Sequence, residues 1–190
     1  MKIFAIYCRV ILDDKPDWFD DFRQKYDENI DPHITLKQPC YIGDNLAEEV
    51  KKKFTRLFEQ FDYLKNRIEV IFEKINIEQE STGDYCVMIG ANQNNMLIKM
   101  QTEIVKAFTE YDKFLEPELF AYEKNFRPHI TIGRDINQNK IDGVIEIVGE
   151  ECVCGGHIDE VVLSVVEEIN DKDAKEKADI TLVKLSGIGE

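Results

Sequence analysis

The chain has 190 residues, 43% of them hydrophobic and 33% charged, with 24 Lys and Arg against 38 Asp and Glu for a net charge of −14. That much apolar material supports a packed core and excludes a disordered, collagen-like or low-complexity chain. The acidic balance argues against sequence-blind binding to duplex DNA or RNA, which rests on neutralising phosphates with Lys and Arg, but leaves room for a local pocket holding one phosphate.

Residues 3–12 are apolar and β-branched and read as a buried first strand. Arg9 interrupts the run and Asp13-Asp14 follow, which speaks against a signal peptide. No window approaches the ~18 apolar residues of a membrane span. Residues 14–26 place Trp18, Phe19, Phe22 and Tyr26 at helical spacing. Residues 32–36 form a short β-type run between Asp31 and Pro39. Residues 45–61 are an amphipathic helix whose Lys51-Lys52-Lys53 triplet, sharing the helix with Glu48, Glu49 and Glu59, reads as a solvated face.

Alternation over 68–79 and a partner at 85–90, joined by the turn at 80–84, predict a hairpin. Residues 96–111 are again helical. Residues 126–132 are short and β-like, and 144–154 read as a strand broken by Gly155-Gly156. Strands at 159–169 and 180–185 complete the chain, with a charged turn at 170–179 between them. The order predicts an α+β fold rather than a doubly wound parallel sheet: antiparallel strands with helices on their outer faces.

Only three histidines are present, and two share one tetrapeptide: Pro32-His33-Ile34-Thr35 and Pro128-His129-Ile130-Thr131. By composition a given His has this Pro and this Thr about once in a thousand, so the repeat is not chance. On a strand, side chains at i and i+2 share a face. His33 therefore projects with Thr35, and His129 with Thr131, while Ile34 and Ile130 face inward. Imidazole serves as general base or general acid near neutral pH. A Thr hydroxyl donates to a phosphate oxygen without needing charge. Two such pairs in one cleft suffice for in-line displacement at a phosphodiester without a metal or other cofactor.

These blocks, 31–37 and 126–134, resemble the two signatures of the 2H phosphoesterase superfamily, and look closest to its YjcG-like bacterial branch. The resemblance implies a single domain over residues 1–190 made of two pseudo-symmetric lobes of antiparallel sheet with outer helices around a central groove. It implies metal-free opening of a 2′,3′-cyclic phosphate to a 2′-phosphate, with His33 and His129 as the acid–base pair and Thr35 and Thr131 on the phosphate. Ligation forming a 2′-5′ bond is the reverse chemistry at the same site. A module that binds a cyclic nucleotide or an RNA end without turnover is the rival reading. Strand parity puts Lys37 on the phosphate face. Arg134, off parity with His129, joins it if Gly133 ends the strand, and Arg127 shares the His129 face. Phe4, Tyr7, Tyr122 and Phe126 are candidate base-stacking groups, against core packing as the plainer reading.

The expected substrate is a small cyclic phosphate, a nucleotide or a short RNA end, with no membrane or duplex DNA partner and a monomeric chain. Cys152-Val153-Cys154-Gly155-Gly156-His157 offers three zinc-type ligands where structural zinc takes four, so a strand entering a turn, with His157 exposed, is the expectation. The five cysteines are odd in number and too sparse for a disulfide scaffold, which predicts a reduced, cytoplasmic protein.

Overall fold

The computed structural model describes residues 1–27, 31–61, 67–167 and 178–185. In chain order these form β1 (Lys2–Leu12), α1 (Phe19–Tyr26), β2 (His33–Ile42), α2 (Ala47–Glu59), β3 (Ile68–Gln79), β4 (Tyr85–Ala91), α3 (Asn95–Ala107), α4 (Leu119–Lys124), β5 (His129–Ile136), α5 (Ile141–Val148), β6 (Glu151–Glu167) and β7 (Asp179–Lys184). All seven strands join one antiparallel sheet, ordered β2-β1-β6-β3-β4-β5, with β7 on β6.

The long strand β6 joins two similar halves. Its first part pairs with β3, from Lys74↔Glu151 to Ile68↔Ile158. Its remainder pairs with β1 on one edge and β7 on the other. From their outer edges the halves read β2-β1-β6-β7 and β5-β4-β3-β6, so each His-Thr strand is an edge strand. The sheet brings these two edges alongside each other without hydrogen-bonding them. Helices cross between halves: α1 packs on β5, whereas α3 and α4 pack on β2.

Alternation drives the packing. Phe4, Ile6, Cys8 and Val10 of β1 are buried, with Phe54 and Phe58 of α2 and Leu97, Met100 and Ile104 of α3 also in the core. Asn94 caps α3, its side-chain oxygen accepting from the N–H groups of Met96 and Leu97. No helix among the described residues is long and apolar enough to cross a membrane.

Several sequence expectations need correction. The expected strand at 144–154 is helix α5 followed by the start of β6. Ile141, Val144 and Val148 are buried while Ile145 and Ile147 are exposed, a helical period hidden by a run of β-branched residues. Gly155-Gly156 is not a break, because β6 runs through it. A Cβ on Gly156 would lie 2.8 Å from the Ile11 carbonyl oxygen, so glycine lets β1 approach. His157 is therefore on a strand, its Nδ1 3.0 Å from Asp13 Oδ1. The strand expected at 126–132 is β5, preceded by the short helix α4. β2 extends through Pro39, which an edge strand tolerates. Expectations for 168–177 lie outside the described residues.

Lys37 departs most from its expected role. Its side chain is 0% exposed, with Nζ 2.8 Å from Glu123 Oε1 on α4, 2.6 Å from Asp112 Oδ1, and 4.6 Å from the Phe114 ring centroid. Burial alone would push the ammonium toward neutrality, but the hydrogen bonds it donates to Asp112 and Glu123, with the charge of Glu123, together outweigh burial and raise its pKa. The Gln38 N–H also donates to Glu123, at 3.0 Å. Lys37 thus ties α4 to β2 and is not a phosphate contact.

Two stability tests follow from this packing. Gly156→Ala is expected to lower unfolding free energy by about 1–3 kcal/mol in urea denaturation, because the backbone of β1 must shift. Lys37→Met leaves Glu123 buried and uncompensated, and is expected to cost about 3–5 kcal/mol in the same measurement.

Candidate active site

Each motif histidine is held by the same local device. The Pro32 carbonyl accepts from the Val10 N–H at 2.9 Å, and the Pro128 carbonyl accepts from the Ala91 N–H at 2.8 Å. These bonds fix the residue before each His against the neighbouring strand. His33 Nδ1 then lies 2.9 Å from the Asp31 carbonyl oxygen, and His129 Nδ1 lies 2.8 Å from that of Arg127. A carbonyl only accepts, so Nδ1 carries the proton in both rings and Nε2 is the reactive nitrogen. Both rings are half-buried, as are Thr35 and Thr131.

The repeat continues past the threonines. Thr35 pairs with Tyr7 and Lys37 with Ile6, so two residues of β2 oppose one step of β1. Thr131 pairs with Met88 and Gly133 with Val87, the same offset on β5. Both strands bulge at the residue after Thr, Leu36 and Ile132, and the bulge reverses parity beyond it. Lys37 and Gly133 turn inward as a result. A Cβ on Gly133 would sit 3.0 Å from Phe22 and 3.3 Å from Tyr26 of α1. Gln38 and Arg134 are the half-buried residues that follow. Arg134 thus shares its strand face with the motif because of a bulge, not because Gly133 ends the strand; β5 runs on to Ile136. Asp135 next to it has φ 52, a left-handed conformation that Asp tolerates.

A cavity of about 630 Å³ opens on the His129 side, with Thr35, Gln38, His129, Asn76, Tyr122 and Phe126 among its lining residues. Its floor is Gly90, the residue opposite His129 on β4, where a side chain would meet Asn76 Nδ2 at 3.3 Å. Arg127 also lines it. His33 and Thr131 lie outside that cavity. The His33 ring is against Tyr7, with centroids 5.0 Å apart. Opposite His33 is Arg9, taken up by Glu160 at 2.9 Å.

The environment of His33 lowers its pKa. Burial is the largest cause, the charges of Arg134, His129 and Arg23 add to it, and the hydrogen bond to the Asp31 carbonyl opposes it. Burial also raises the pKa of the Tyr7 phenol, partly offset by Arg9. Arg23 on α1 and Arg134 on β5 flank Asp27, whose carboxylate is 3.9 Å from Arg23 Nη2 and 3.6 Å from Arg134 Nε.

The structure sets Thr35, His129, Tyr122 and Phe126 around one cavity and Tyr7 against the His33 ring, with Thr131 and Arg134 half-buried on β5, and removes two candidates. Lys37 is the buried tie between α4 and β2. Phe4 is a core residue packed on Phe108 and Tyr111, with centroids 5.8 and 6.0 Å away. Sequence reasoning missed Gln38, Asn76 and Arg23. Continuing the comparison of the two repeats beyond the tetrapeptide would have found Gln38, whereas Arg23 sits four residues after Phe19 on the inward side of α1, its side chain 14% exposed, and as a lone charge on a short helix gives no signal. Among the described residues, no group of three or more His, Cys, Asp or Glu is placed to hold a metal. Cys152 and Cys154 are buried with Sγ atoms 3.9 Å apart, on the strand face opposite His157.

Comparison with solved structures relates the fold to TT0787 of Thermus thermophilus, with 13% identity, full coverage of both chains and a TM-score of 0.57. Usb1 of Kluyveromyces marxianus follows at 9% identity, 96% and 97% coverage and a TM-score of 0.50. Escherichia coli LigT complexed with 3′-AMP aligns with 17% identity over 96% and 94% of the chains, at a TM-score of 0.45. No curated protein matches in sequence. The model of the 2′-5′ RNA ligase superfamily matches residues 13–169. With both His-Thr strands inside that match, the chain belongs to the 2′-5′ RNA ligase superfamily.

Proposed function

We propose that the protein opens 2′,3′-cyclic phosphates on a nucleotide or a short RNA end, leaving a 2′-phosphate. The observation that carries this reading is the repeated device at His33 and His129: two imidazoles, each with Nδ1 tied to a backbone carbonyl and Nε2 turned to reaction, on strand edges that lie side by side. One neutral Nε2 takes a proton from water as its oxygen attacks phosphorus. The P–O3′ bond breaks, and the other imidazolium delivers its Nε2 proton to the departing O3′. Thr35 and Thr131 donate to the non-bridging oxygens, and the Arg134 guanidinium offsets charge that builds on them in the transition state.

The cavity beside His129 takes the base, with Tyr122 and Phe126 as stacking walls. Two imidazoles supply both proton transfers, so no step calls for a metal. The five free cysteines, four of them buried, accord with a reducing, cytoplasmic setting. Ligation is the same ring opening with a 5′-hydroxyl in place of water as the nucleophile, O3′ leaving in both, and adding an RNA with a free 5′-hydroxyl to the assay below detects it as a 2′-5′ joined product.

The test is hydrolysis of 2′,3′-cyclic nucleotides and of a short RNA ending in a 2′,3′-cyclic phosphate, in EDTA. Wild-type protein is expected to release only 2′-phosphate. His33→Ala and His129→Ala are each expected to lower kcat/KM by roughly 10²–10⁴-fold with an unchanged melting temperature. Binding without turnover by the wild type would favour the binding module instead. Thr35→Ala and Thr131→Ala are expected to cost about 1–3 kcal/mol of transition-state stabilisation each, read as kcat/KM.

A further inference from the structure

Four polar or charged side chains are buried among the described residues, and three of them, Lys37, Gln101 and Glu123, meet at one point. That point is Glu123 on α4. Its Oε1 accepts from Lys37 Nζ at 2.8 Å and its Oε2 from the Gln38 N–H at 3.0 Å. Its backbone carbonyl accepts from Gln101 Nε2 of α3, also at 3.0 Å. Asp112 takes a further hydrogen bond from Lys37.

The helix so anchored has little apolar surface to hold it. Glu123 is the one buried residue of α4; Phe120, Ala121, Tyr122 and Lys124 are exposed and Leu119 is half-buried. The Phe120 ring packs on Phe114 at 5.6 Å between centroids, and the Phe114 ring sits in turn against the Lys37 ammonium. A surface helix ordinarily docks through an apolar stripe. Here a carboxylate takes that place.

The same helix walls the cavity beside His129. Ala121 and Tyr122 line it, Asn125 and Phe126 follow directly after, and Gln38 lines it from β2. One carboxylate therefore holds two parts of the lining, Gln38 through its backbone N–H and Tyr122 through α4. A buried ion pair adds little net stability over apolar side chains of the same volume. What it adds is direction, because hydrogen bonds fix distance and angle where apolar contact leaves both loose.

We propose that Lys37 and Glu123 are positioning residues for the substrate: from one buried point they set the spacing between Gln38 and the Tyr122 ring, and with it the affinity of the cavity for the base. The role rests on the reading that this cavity takes the base. The walls lie away from the bond that breaks, so they hold ground state and transition state alike. Loosening them raises KM and spares kcat.

Lys37→Met alone strands a buried carboxylate, so the informative variant is Lys37→Met/Glu123→Gln. It removes both buried charges and keeps an oxygen to accept from the Gln38 N–H. Its melting temperature is expected to lie closer to wild type than that of Lys37→Met. Amides 121–125 are nonetheless expected to exchange with deuterium about tenfold faster than in the wild type. With a 2′,3′-cyclic nucleotide, KM is expected to rise about tenfold and kcat to stay within about twofold. In a Gln38→Ala/Tyr122→Ala background the same double change is expected to shift KM by less than about twofold. Titration calorimetry with adenosine 2′-monophosphate reads the same comparison as Kd, without turnover.

Unchanged exchange at 121–125, an unchanged KM and Kd, or a fall in kcat at constant KM would each overturn the positioning role. So would a tenfold effect that persists after Gln38 and Tyr122 are both truncated. Wild-type binding without turnover would overturn the phosphodiesterase reading alone, leaving the positioning role to be decided by Kd. Neither binding nor turnover would overturn both.

Discussion

Everything in this molecule hangs on the backbone pairing of one strand. β6 hydrogen-bonds to β3 along its first part and to β1 and β7 along its remainder, so the two halves of the sheet share a single spine. That sharing sets β2 and β5 at the two outer edges, and the curvature of the sheet then brings those edges together. Edge strands have one side of their backbone free of the ladder, and a glycine-floored cavity beside one of them keeps the space open. The groove is thus a by-product of how the sheet is closed, not of a loop inserted to make it.

The second constraint is local. A bulge after each Thr turns the following side chain inward and presents the next one with the motif. In one repeat the inward position is filled by Lys37, whose ammonium is satisfied by α4 and the Asp112 carboxylate. In the other, Gly133 leaves room for the rings of α1. The two repeats therefore use one backbone solution and fill it with different side chains. Chemistry is shared where the backbone dictates it and differs where the packing partners differ.

Legibility from the sequence tracks the range of the interactions. His33, Thr35, His129 and Thr131 were readable because a two-residue strand period needs no knowledge of the partner strand. The helices α2 and α3 were readable because their apolar stripes are long. Lys37 was misplaced because a bulge is set by pairing with β1, which no local pattern reports. α5 was hidden since Val144, Ile145, Ile147 and Val148 suit a strand by type and a helix only by burial. Phe4 reads more plainly as core than as a stacking ring, and Phe108 and Tyr111 packed against it settle the plainer reading. Arg23 and Gln38 gain meaning only through the opposite half of the molecule.

The position of β6 along the chain also governs when the fold can form. Arg9 and Glu160 meet across 151 positions of sequence, and β1 has both edges paired only once residues 156–167 are available. During synthesis β1 and β3 each wait for the same late segment, with their apolar faces and unpaired edges exposed in the meantime. Loop closure over that distance delays the reward from pairing, which places the molecule among slow, topologically demanding folders. A ribosome that stalls before β6 would release a chain with two open sheet edges and no spine to join them, a species prone to aggregate and in need of chaperone protection.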